Sequence, residues 1–109
     1  MNVRKSDDFI SDIEQQYRWY LENANEEVAD HYLTAVEATC RLLGQHPRLG
    51  PRAGFNHPRL RQWRFFVVFR PFKKHVLFYE VIEDCAVMRR AMHGHRNLPI
   101  RLLEPPRTE

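Results

Sequence analysis

Apolar residues follow two rhythms along this chain. Up to Gln45 they recur at helical spacing, and from Arg64 to His93 they gather in β-branched and aromatic runs. In the first region Ser6 suits an N-cap, with Asp7 and Asp8 in the turn that follows. Phe9, Ile13, Tyr17 and Tyr20 then mark one face, widened by Ile10 and Leu21, and predict a helix over 7–22. Asn25 reads as a second N-cap, followed by Glu26 and Glu27. Val28, Tyr32, Val36, Cys40 and Leu43, widened by Ala29, Leu33 and Leu42, predict a helix over 26–43, stopped by Gly44 with Pro47 beyond. A connection of so few residues makes the pair an antiparallel helical hairpin.

The second region reads as strands. "RFFVVFR" and "HVLFYEVI" flank a turn at "PFKK", and "EDC" leads into "AVMRRAMH", giving strands over 64–70, 75–82 and 86–93. In the last strand simple alternation places Ala86, Met88, Arg90 and Met92 on one face and Val87, Arg89, Ala91 and His93 on the other. One face must be core, so at least one of Arg89 and Arg90 has to meet an internal carboxylate or a partner. Residues 46–62, rich in Pro, Gly and Arg, form a basic loop, 2–5 a short edge strand, and 98–109 a tail. The predicted fold is α+β: a single domain in which the helical hairpin packs on a small antiparallel sheet of that first strand plus a three-stranded meander.

Composition narrows the function classes. The 109 residues suffice for one core, and no apolar run approaches the ~20 residues of a membrane span. No signal peptide is readable, so a cytoplasmic location is expected. Cys40 and Cys85 lack paired spacing and read as ordinary thiols, Cys40 in the core. The net charge of +3 conceals an asymmetry: residues 1–45 sum to −5 and residues 46–109 to +8. Such a basic half suits an acidic partner, or the packing of a basic sheet on acidic helices.

The six histidines form no HExxH helix, and "GPRAG" opens no helix after a strand, so neither a metal nor a nucleotide cofactor is expected. RNA cleavage asks more of the sequence. In-line attack by a 2′-hydroxyl needs a proton acceptor, a donor to the leaving oxygen and cations around the phosphorane. His93, His95, Arg61, Arg64, Arg70 and Arg96 are of the right kinds. They equally suit solvated or ion-paired sheet edges. Tyr17, Trp19 and Tyr20 exceed what a narrow core stripe needs, which makes Trp19 a candidate interface anchor or a cap on the sheet edge.

"DIEQQYRWYL", "EEVADHYLTAVEATCRLLGQHPRLGPR", "LRQWRFFVVFR" and "VMRRAMHGHRNLP", in that order, resemble the ParE/RelE superfamily of toxins from bacterial type II toxin–antitoxin systems. The HPxLG turn and the closing HGxR are the most specific parts, and the ParE branch fits better because no catalytic tail follows. The chain departs from the pattern at Asn97, where an acidic residue is usual, and at Phe69, where a tyrosine is usual. His93, Gly94 and Arg96 match the closing signature, while His95 falls on its variable position.

The resemblance implies a toxin that inhibits DNA gyrase without chemistry of its own and forms a hetero-oligomer with a cognate antitoxin. The antitoxin's acidic or amphipathic C-terminal segment would fill a groove beside the helical hairpin. Contacts with antitoxin or target would come from Arg61, Arg64, Arg70, Arg89, Arg90, Arg96 and Trp19. The RelE-like alternative, ribosome-dependent cleavage of messenger RNA, would use His93, Arg96, Arg61 and Arg70. A noncatalytic nucleic-acid-binding module is the third reading, resting only on the basic second half.

Overall fold

The computed structural model describes residues 3–94 and 98–106, with the backbone alone over 98–100. Its elements are β1 (Val3–Lys5), α1 (Asp7–Asn23), α2 (Glu26–Gln45), β2 (Arg64–Val67), β3 (His75–Ile82), β4 (Cys85–His93) and α3 (Leu98–Leu103). Both helices of the hairpin start where a side chain caps them: Ser6 accepts from the Phe9 amide at 3.1 Å and Asn25 from the Val28 amide at 2.8 Å. The second helix runs past Gly44 to Gln45, because Gly44 is buried inside its last turn and Pro47 ends it. On α1, Ile10 and Leu21 stay exposed, so the buried stripe is narrower than its spacing suggested.

The α+β architecture is as expected, but the sheet is mixed. Its order is β1-β4-β3-β2, with β1 parallel to β4 and the other pairings antiparallel. A parallel neighbour needs a long crossover, and the helical hairpin is part of that connection. The hairpin covers one face, where Phe9, Tyr32, Val36 and Leu43 meet Leu77, Tyr79, Ala86 and Met88.

The opposite face is buried too. Leu60 and Leu102 pack there on Val76, Phe78 and Met92, with Phe55 and Trp63 at the margin. Thus the basic loop and the expected tail both cover the sheet, and the tail contains α3. Alternation along β4 breaks at Arg89: Phe78 pairs with Arg90 and Tyr79 with Met88, leaving Arg89 without a partner across the ladder. This bulge sends Ala86 and Met88 to the helical side and Met92 to the other, which corrects the single face expected for them.

The first strand of the meander stops at Val67 rather than residue 70. Val68 still donates to the His75 carbonyl, but the Phe69 amide turns away to Thr39 Oγ1 on α2, and Pro71 has no amide to give. At the other end of the sheet, the Tyr79 hydroxyl donates to the Pro47 carbonyl and accepts from the Gly50 amide. A Cβ at Gly50 would stand 2.4 Å from the Phe65 carbonyl oxygen and 2.7 Å from that hydroxyl. Gly50→Ala is therefore expected to cost about 1–3 kcal/mol in a urea melt, because a backbone oxygen cannot yield.

Candidate functional site

Where β1 ends, β4 continues with an edge that no strand among the described residues covers, and α1 takes over its polar groups. The Ser6 amide donates to the Met88 carbonyl, Ser6 Oγ to the Arg89 carbonyl, and Asp12 Oδ2 accepts from the Ala91 amide at 2.9 Å. The same carboxylate holds Arg90 in a fork, Nε to Oδ2 at 2.7 Å and Nη2 to Oδ1 at 3.0 Å. Both side chains are buried, at 5% and 9% exposure. Arg90 Nη1 reaches the carbonyls of Arg101, Leu102 and Glu104, so it ties the end of α3 to the sheet. Arg89 pairs with Glu80 at 2.7 Å. The bulge lets both arginines of the pair find an internal carboxylate.

Beside this clamp lies a groove of about 500 Å³ between α1, the end of β4 and residues 101–106. It gathers Arg18 and Trp19 from α1, His93 from β4, and Arg101, Pro105 and Pro106. Trp19 is 53% exposed, with its ring edge-on to Tyr20 at 5.5 Å, so it forms a wall of the groove instead of closing the sheet edge. The exposed His93 ring lies tilted at 51° against His75, with centroids 4.6 Å apart; His75 is buried and lies 2.8 Å, through Nε2, from the Tyr20 hydroxyl. Gly94, at φ 90°, turns the chain away directly after His93.

Sequence reasoning passed over His75 and Asp12. The period of β3 was the signal for the first, since His75 shares the core face with Leu77 and Tyr79. Burial, with His93 adjacent, lowers the His75 pKa from 6.5 to about 4. The unfolded chain then takes up a proton that the folded one refuses. Stability should be full above about pH 6.5 and fall by up to ~3 kcal/mol as the pH drops to about 4. His75→Gln should flatten that window, which thermal melts at about pH 5 and about pH 7 would show.

The structure unites Trp19, Arg90 and His93 at the groove and separates the remaining candidates. Arg64 is occupied, donating from Nη1 to the Gly50 carbonyl at 2.7 Å. Arg61 and Arg70 are exposed and do not line the groove. Arg96 lies outside the described residues. Burial pushes the Cys40 thiol up to about 12, which leaves it un-ionised. Among the described residues, no three His, Cys, Asp or Glu side chains converge as metal ligands.

A family model described as the ParE toxin of the type II toxin–antitoxin system parDE matches residues 3–98. Nine chains of solved structures match as well. One, described as the chromosomal ParDE toxin–antitoxin system from P. aeruginosa, superposes with a TM-score of 0.70 at 15% identity. That match covers 87% of this chain and 97% of that one, and at such identity it is a likeness of fold. No curated protein matches. Among the described residues, no helix is long and apolar enough to cross a membrane.

Proposed function

This chain belongs to the ParE toxin family of type II toxin–antitoxin systems, and on that premise we propose that it inhibits DNA gyrase by binding and is neutralised by a cognate antitoxin. The toxin acts in the cytoplasm and is silent as a hetero-oligomer, with the antitoxin's C-terminal segment lying in the groove between α1 and β4. Because Arg89 and Arg90 already have carboxylate partners, they are not available to an acidic segment. The groove offers Arg18 and Arg101 beside Glu22 and Glu104, with Trp19 and two prolines, which fits an amphipathic segment better than a purely acidic one.

The observation that carries the binding reading is the separation of Arg61 and Arg70 from His93. Phosphorane stabilisation requires charge aimed at the reacting group. Of the arginines that RNA cleavage would use, neither Arg61 nor Arg70 shares the groove with His93. His75, whose ring lies against His93, is kept neutral by its burial. Purified toxin added to a ribosomal translation mixture is expected to leave the message intact by primer extension. Cleavage that disappears in His93→Ala and Arg96→Ala would instead establish the RelE-like activity.

A further inference from the structure

The loop before β2 and the turn after it carry charge that the described residues do not neutralise. Between the end of α2 and Glu80 the chain contains no Asp or Glu, yet it contains eight Lys and Arg. One of them, Arg48, makes an ion pair among the described residues, and Arg64 is occupied by backbone carbonyls. Arg52, Arg59, Arg61, Arg70, Lys73 and Lys74 are all exposed, and none has a carboxylate within 4.0 Å among the described residues.

Topology sorts these cations away from the acids. The loop before β2 lies along the β2 edge, through a bridge from Arg52 to Arg64 and a bond from the Ala53 amide to the Trp63 carbonyl. Its Leu60 is buried on the face opposite the hairpin, in one cluster with Leu102 of α3. The turn after β2 carries Arg70, Lys73 and Lys74 at the end of the sheet, where its Phe72 packs on Tyr20 and Tyr32 and its Phe69 amide bonds Thr39 of α2. The hairpin on the other face exposes mostly acids, among them Glu14, Glu22, Glu26 and Glu27. The charge is therefore segregated by element, with the acids on the helical hairpin and the unpaired cations on the loop before β2 and the turn after it.

We infer that this basic loop and turn dock on the phosphate backbone of duplex DNA without reading its bases. The cations are spread over loop and turn instead of converging in a pocket, which suits evenly spaced phosphates better than the anchored side chains of a peptide. The protein measures 37 × 29 Å across its two longer axes, which compares with about 34 Å for one turn of the double helix. This contact is separate from gyrase inhibition and is measured in the absence of gyrase.

The test is fluorescence anisotropy of a labelled mixed-sequence duplex of roughly 30 base pairs with the full chain, between about 50 and about 200 mM salt. Binding is expected to weaken with salt at a log–log slope between about −3 and −5. The triple variant Arg52→Ala, Arg59→Ala, Arg61→Ala should bind at least about tenfold more weakly and flatten that slope by about 2.7. A control of equal charge change on the exposed face of α2, Arg41→Glu with Thr34→Glu, should bind like the parent, and thermal melts should show all three proteins folded. Three results overturn the inference: no binding at the lowest salt, an equal loss in the control, or tighter binding of a polyglutamate peptide than of the duplex. The last would assign the surface to an acidic protein.

Discussion

Asp12→Ala is expected to destabilise the protein by about 3–5 kcal/mol, the usual consequence of leaving one member of a buried ion pair alone. Arg90 is 5% exposed and would lose both bonds of its fork. The Ala91 amide on the open edge of β4 would lose its acceptor as well, adding an orphaned donor to an orphaned cation. For a chain of this size the melting temperature should drop by roughly 15–25 °C. The apolar pair Asp12→Leu with Arg90→Met removes both charges and should be more stable than Asp12→Ala alone. It should also free the segment that Arg90 holds by its carbonyls, seen as faster amide exchange around residues 101–104. A loss below about 1 kcal/mol in Asp12→Ala would mean that the clamp is only geometric.

Trp19→Ala should separate binding from folding. Half of this side chain is already in water, so the fold should lose only about 1–2 kcal/mol, less than for a fully buried Trp, and stay folded. As the large aromatic on the wall of the groove, it is the residue most able to anchor a partner. Affinity for the antitoxin, measured by calorimetry, is expected to fall by about 2–4 kcal/mol, roughly 30- to 1000-fold. Unchanged affinity in a variant that remains folded would place the antitoxin elsewhere on the toxin.

The helical hairpin was legible because caps and spacing agree: Ser6 and Asn25 each precede a run in which apolar residues return every three or four positions. The strands of the meander were legible from their β-branched and aromatic runs. The direction of β1 was not, since three residues, Val-Arg-Lys, carry no mark that separates parallel from antiparallel pairing. Period-two reading also failed at Arg89, where the bulge changes which face every later residue occupies. Two adjacent arginines in an apolar strand were the only hint of it. The α3 helix escaped because six residues are too few to display a period.

At the site, surplus aromatics on α1 pointed to Trp19, and the closing HGxR pointed to His93. Asp12 was missed because an acid on a helix usually faces water. It lies three residues after Phe9 and directly before Ile13, at the border of the buried stripe, where an edge amide and a guanidinium can both reach it. Arg61, Arg64 and Arg70 could be named from the sequence but not located by it, since a long loop separates sequence neighbours from spatial ones.

Supercoiling of relaxed plasmid by purified gyrase, titrated with this toxin, tests the central claim most directly. Supercoiling should disappear as the toxin approaches the concentration of gyrase, and His93→Ala should still inhibit, since the proposed action is binding without chemistry. Full supercoiling at a large molar excess of folded toxin would contradict the account.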